Sequence, residues 1–332
     1  FSPHDFTTIY ADYVRTPPSL SPYPKADRIE APLQEAVKRM RLDLKEWHQD
    51  GDRVVLTVTS SSRPIDERNT RYLDRSSAFT DGRVEERSAD GLTMVMSAGV
   101  KQEYFFFGTD NTGRDLFTRT LMAGRVSLAI GLLAGLVAVV IGVIYGATAG
   151  FIGGRTDELM MRIVDVLYSL PFIFFVIMLV VFFGRNFILM FLAVGAVLWL
   201  DMARIVRGQA LSIRRQEYVQ AAEALGVPRT GILIRHIVPN LLGVVVIYMT
   251  LLVPQVIILE SFLSFLGIGV REPFPSWGNL AADGLGEVNL VLSRWWLLAA
   301  PCALIAVTLV ALNFIGDSLR ARFDPTAGRA RW

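Results

Sequence analysis

Polar and apolar positions are segregated along this chain. Residues 1–106 are polar and rich in charge, and beyond them long apolar runs are separated by short charged connections. A bilayer core takes about 20 residues of helix. Runs at 126–154, 166–184, 186–200, 237–259 and 295–316 therefore predict five spanning helices, the third short and running on through Asp201. The runs are continuous rather than alternating, so helices and not barrel strands are expected. In the polar portion, Leu33, Val37, Met40, Leu44 and Trp47 recur at helical spacing and predict one helix over 33–47, stopped by Gly51. The stretch 53–59 (RVVLTVT) predicts a strand, and 92–96 a second. Pro17, Pro18, Pro22 and Pro24 mark an extended entry, and the polar stretch 60–91 is expected to be partly disordered.

Arginine placement orients the spans. Arg204, Arg207, Arg214, Arg215, Arg229 and Arg235 face only Glu217 and Glu223 in one connection, and Arg320, Arg322, Arg329 and Arg331 follow the last span. The connection 267–294 sets Arg271 and Arg294 against Glu272, Asp283 and Glu287. The positive-inside rule puts the first loop and the C-terminus in the cytoplasm and residues 1–106 outside. No signal-peptide pattern precedes that outer portion. The expectation is therefore a further helix before Phe1, six in all. The outer portion is open to two readings: a small domain touching a soluble partner or capping the channel mouth, or an insertion packed on the outer loops.

Composition narrows the chemistry. The 332 residues are 52% hydrophobic with a net charge of +2. That balance suggests a polytopic membrane protein with no nucleic-acid partner. Cys302 is the single cysteine, which excludes an intrachain disulfide, and His4, His48 and His236 are too scattered for a metal cluster. There is no GxxxxGK[ST] sequence, no HExxH and no persuasive nucleophile–base set. The chain therefore reads as neither an ATPase nor another enzyme.

The loop 207–239 carries the most pointed pattern. A helix is expected over 212–225, with Tyr218, Ala222 and Leu225 on one face and Ala221 beside them. Gly226 suits a left-handed C-terminal cap and Pro228 can begin the next helix. Pro239 is expected to break that second helix where the span starts. The result would be a stiff lever on the cytoplasmic face, or else an ordinary amphipathic connection lying on the membrane. Its weakly hydrophobic stripe favours a protein groove over lipid. Pro171 and Pro254 are expected to kink their helices. Membrane carboxylates are candidates for function. Asp165 and Asp201 are each three residues from an arginine, Arg162 and Arg204, which suggests local ion pairs. Glu260 has no nearby base and is the candidate for lining a pathway.

These residues resemble the Glu-Ala-Ala loop of ABC-importer permeases. The spacing Gln220-Ala221-Ala222, Gly226, then His236-Ile237-Val238-Pro239 is intact, with Gln220 for Glu, His236 for Ile and Val238 for Leu. More narrowly, the chain resembles the C-type permease subunits of dipeptide, oligopeptide and nickel importers. The matches are Gly108-Thr109-Asp110 with Gly113-Arg114-Asp115, Arg162 to Asp165 with Ser169-Leu170-Pro171, SFLSFLG from Ser261, Pro275-Ser276-Trp277-Gly278 and Phe323-Asp324-Pro325. They cover 105–325, and residues 1–100 match nothing in that family.

The resemblance implies an all-α polytopic protein of the type I importer permease fold, to which the patterns in the polar portion add an outer α+β segment at 1–106. It implies a transmembrane domain at 107–325 and a cytoplasmic tail at 326–332. It implies a B-type permease as heterodimer partner, two cytoplasmic ATPases that bind ATP and Mg, an extracytoplasmic binding protein, and membrane lipid. Arg215, Glu217, Tyr218, Gln220, Ala221, Ala222, Leu225, Gly226 and Pro239 would receive the ATPase motion. Gly142, Gly146 and Gly150 form a small-residue ladder, either a seam with the second permease or internal packing. Glu260, Pro171 and Pro254 would serve the pathway. Peptides are the substrate class implied, with nickel complexes or oligosaccharides as minority uses. A secondary transporter is the alternative; it predicts inverted repeats and paired intramembrane charges, and neither is evident.

Overall fold

A computed structural model describes residues 4–184, 186–289 and 293–323. The chain divides into two compact units, 8–116 and the remainder.

The smaller unit is α+β. Helix α1 (Glu30–Met40) precedes strands β1 (Asp43–Asp50) and β2 (Arg53–Thr59). The short helix α2 (Arg71–Asp74) precedes β3 (Phe79–Arg87) and β4 (Thr93–Val100). The four strands pair antiparallel in the order β1-β2-β4-β3. Alternation in β2 turns Val54, Leu56 and Val58 inward, where they meet Met94, Met96 and Ala98 of β4 and the stripe Leu33, Ala36, Val37 and Met40 of α1. One face of sheet and one stripe of helix thus close a single core.

Two expectations fail here for physical reasons. The helix predicted over 33–47 ends at Met40, because Arg41 takes the left-handed conformation (φ 58°) and its N–H bonds back to Lys38. Leu44 and Trp47 lie on β1 instead. Their helix-like spacing arises from a β-bulge between Leu44 and Glu46 that inserts one residue into the period of two. Gly51 (φ 60°) turns the β1–β2 hairpin rather than ending a helix. The polar stretch 60–91 is ordered: it contains α2 and β3, and Ile65, Leu73 and Phe79 are buried in the core.

The larger unit is helical. It comprises α3 (Leu116–Ile152), α4 (Gly154–Tyr168), α5 (Phe172–Phe183), α6 (Phe187–Arg214), α7 (Glu217–Ala224), α8 (Arg229–Ile232), α9 (Val238–Phe265), α10 (Trp277–Gly286) and α11 (Trp296–Phe323). Among the described residues, four helical stretches are long and apolar enough to cross a membrane: Leu116–Ile152, Phe187–Arg214, Arg229–Phe265 and Trp296–Ala321. The run 166–184 is not one helix. It is divided at Ser169–Pro171 into the end of α4 and the 12-residue α5. Pro171 therefore kinks nothing; it immediately precedes α5, where a missing N–H costs no helical bond, and its carbonyl accepts from Phe174. Pro254 does lie inside α9, and Pro301 lies inside α11. The short third run extends to Arg214, so Asp201 is well inside α6, 14 residues on from Phe187 and 13 short of Arg214. The Phe323-Asp324-Pro325 ending and the tail at 326–332 extend beyond the described residues.

Candidate functional site: the capped helix between two spans

Helix α7 is separate from α6. The expected helix over 212–225 breaks at Arg215 and Gln216, where Gln216 is extended (ψ 144°). Gln220 tightens this corner, its side-chain amide donating to the Arg215 carbonyl at 3.3 Å. A carboxylate could not donate that bond, so the departure from Glu has a structural use here. The far end is a Schellman cap: Gly226 N donates to Glu223 O and Val227 N to Ala222 O. Gly226 sits at φ 76° with open space around it, so glycine answers the backbone and not crowding.

The helix presents two faces. Val219 (0% exposed) and Ala222 (8%) are buried in one cluster with Phe151 of α3, Val206 and Ala210 of α6, and Ile232, Ile237 and Leu241. Glu217, Tyr218, Gln220, Ala221 and Leu225 are exposed, as is Arg215 before them. Ala222 thus belongs to the inner face, away from Tyr218 and Leu225. The rings of Tyr218 and His236 lie 6.4 Å apart, so the histidine that replaces the family's isoleucine sits beside α7.

Pro239 does not break the second helix. Residues Leu233–Ile237 adopt a π-helical turn between α8 and α9, and Pro239 occupies the first turn of α9. The wider turn admits a residue with no N–H, and the Asn240 side chain bonds the His236 carbonyl at 2.7 Å. Helix α8 is therefore continuous with the span through this turn, from Arg229 to Phe265.

The glycine ladder packs within this chain. A Cβ on Gly142 would meet Met202 at 2.6 Å, one on Gly146 the Ala203 carbonyl, and one on Gly150 the Arg207 carbonyl at 2.6 Å. Three glycines on α3 thus let the α6 backbone approach. At the end of this seam Arg207 forks onto Asp157 of α4, at 2.5 Å and 2.6 Å, and Asp157 is only 6% exposed. Removing one member of such a pair leaves a half-buried charge without its partner. Asp157→Ala is expected to lower complex stability by about 2 kcal/mol, discounted because the Arg207 side chain is 34% exposed. Thermal unfolding of the purified complex checks this, and adding Arg207→Ala to Asp157→Ala should cost less than the two singles summed.

The other acidic residues pair differently from expectation. Asp165 bonds Arg204 of α6 at 2.8 Å rather than Arg162 of its own helix, and Arg204 also lies 4.3 Å from the Tyr168 ring centroid. Asp201 consequently loses the arginine that its spacing suggested. Glu260 has no exposed surface; Ser127 donates to it at 2.9 Å and Ser264 at 2.6 Å. Ser127 also accepts from the Trp277 amide at 3.3 Å, so the carboxylate joins α3, α9 and α10. In this conformation Glu260 therefore lines no open path. Pro275-Ser276-Trp277-Gly278 serves the same joint. Ser276 caps α10, Trp277 donates its indole N–H to the Thr120 carbonyl at 3.0 Å, and a Cβ on Gly278 would meet the Ser261 backbone at 2.5 Å. In the smaller unit, Asp110 accepts from Thr112 and Arg114, folding the Gly108–Asp115 signature into a turn.

Residues 116–329 match the family described as the inner membrane component of binding-protein-dependent transport systems. The oligopeptide transport system permease protein OppC of Escherichia coli K12 is 54% identical over 232 residues, 70% of this chain and 76% of that one. The dipeptide transport system permease protein DppC of Bacillus subtilis is 46% identical over 224 residues, 68% of this chain and 69% of that one. A structure of the MetNI methionine ABC transporter, inward facing, shares the fold with a TM-score of 0.51 at 16% identity, over 60% of this chain and 94% of that chain. The chain belongs to the family of inner membrane components of binding-protein-dependent transport systems. Within it, the likeness to OppC and DppC makes it a C-type permease of the ABC importers.

Proposed function

We propose that this permease carries peptides inward across the membrane by alternating access. A B-type permease would be its partner, two cytoplasmic ATPases its motor, and an extracytoplasmic binding protein its source of substrate. The relatives at 44–54% identity are oligopeptide and dipeptide permeases by name, which supports the substrate class. The arginine distribution supports a cytoplasmic 207–239 segment and an extracytoplasmic polar unit.

One observation carries the mechanism. Helix α7 is capped at Gly226 and anchored through Val219 and Ala222 in a core shared with α3, α6 and the start of α9, while Tyr218, Gln220, Ala221 and Leu225 face outward. A protein seated on that outer face would move the ends of three spans together. Closure of the ATPases would thus become a rigid shift of the bundle. Leu225, 84% exposed, reports on this directly. In a Cys302→Ser background, Leu225→Cys is expected to crosslink to an ATPase subunit and to resist membrane-impermeant thiol reagents added outside. External labelling, or no ATPase adduct in the intact complex, would overturn the reading.

A further inference from the structure

Asp201 is a carboxylate inside a spanning helix that the folded chain leaves unanswered. Among the described residues, no hydrogen bond or ion pair reaches it. Its neighbour along the helix, Arg204, is taken by Asp165 and by the Tyr168 ring. Asp201 lies deep in α6 and lines a cavity of about 460 Å³ whose other walls are largely apolar, among them Leu167, Phe175 and Leu259. Gln255 of α9 faces the same cavity. Both residues also line an adjoining cavity of about 370 Å³, reached by Arg204 and Tyr248. A few polar groups in an apolar hollow of this size are the usual makings of a small-molecule site. An unpaired carboxylate among spanning helices is costly unless a cation or water meets it.

We propose that Asp201, with Gln255 beside it, receives the free α-ammonium group of a peptide in passage. The ammonium brings three N–H donors and one positive charge, which an isolated carboxylate and an amide oxygen can meet. A single carboxylate offers too few oxygens for a calcium ion, which takes 6–8. Arg204 does not repel the ammonium, because Asp165 balances it. The apolar walls accept side chains of varied shape, while the one feature shared by linear peptides, the amino terminus, is read by charge. This extends the reading above and rests on peptides being the cargo.

The test uses the whole transporter in proteoliposomes, with its binding protein saturated in turn by a free tripeptide and by its N-acetylated form. Saturation removes discrimination at the capture step. With wild-type complex, ATP-dependent uptake of the free peptide is expected; its absence would defeat the peptide reading itself. Asp201→Asn is expected to lower free-peptide uptake at least about tenfold while changing the acetylated peptide little. Asp201→Glu should restore most of the difference. An equal fall for both peptides, or none, would overturn the proposal. So would failure of Asp201→Asn to assemble, which would assign the carboxylate to packing.

Discussion

Gly226→Asp is expected to abolish most peptide uptake, to below about one tenth of wild type, while the protein still inserts and assembles. The two halves of that result come from different parts of the structure. Gly226 is at φ 76° with nothing within 4 Å of an added Cβ, so no neighbour is displaced. The folding cost is the left-handed backbone alone, about 1 kcal/mol and less for Asp than for most residues. The loss arises outside the fold. The new carboxylate stands at the C-terminal end of α7, where the helix dipole disfavours it, beside the exposed Leu225 at which the ATPase is proposed to sit. Gly226→Asn tolerates the same backbone without the charge and should keep most of the uptake. Transport assays alongside quantitation of the membrane-embedded complex separate these outcomes. Equal uptake in the Asp and wild-type proteins would mean that this surface receives no motion.

Gly146→Leu is expected to do the reverse, removing the folded permease altogether. A Cβ there would collide with the Ala203 carbonyl and lie 3.0 Å from both Arg207 N and Val206 Cβ. These are mostly backbone atoms of α6 and cannot rotate aside. The two helices must separate, which costs upwards of about 3 kcal/mol by overpacking and also displaces Arg207 from Asp157. The measurement is the yield of monodisperse complex in detergent and its unfolding temperature. Gly135→Ala is the contrast, since its Cβ would come only within 3.8 Å of Val253, an ordinary contact. It should be tolerated within about 0.5 kcal/mol. If Gly146→Leu behaved like Gly135→Ala, the ladder would not be the α3–α6 seam.

The two units differ in how openly their sequence announces them. Spans are legible because the bilayer demands long uninterrupted apolarity, and α3, α6, α9 and α11 satisfy it plainly. The loop around Gly226 is legible because a Schellman cap needs glycine at one position. Strand β3 was hidden: irregularities at Thr80/Arg83 and Val84/Glu86 spoil its alternation, and only Phe79 and Val84 point to the core. The helix-like stripe through Leu44 and Trp47 misled for the same reason. Ion pairing was misread because spacing along one helix says nothing of the neighbouring helix. Arg204 reaches Asp165 across α4 and α6, and Arg207 reaches Asp157, pairs 39 and 50 residues apart. The solitude of Asp201 follows from that exchange and could not be seen in advance of it.

The π-helical turn over Leu233–Ile237 has a consequence for how force enters the bundle. Such a turn carries one residue more than an α-turn. Annealing it to α-helix would rotate α8 by about 100° about the axis of α9 and move it by about 1.5 Å. A change of register at the base of α9 would thus come as one discrete step, like the tooth of a ratchet, where an unbroken α-helix would offer only elastic bending.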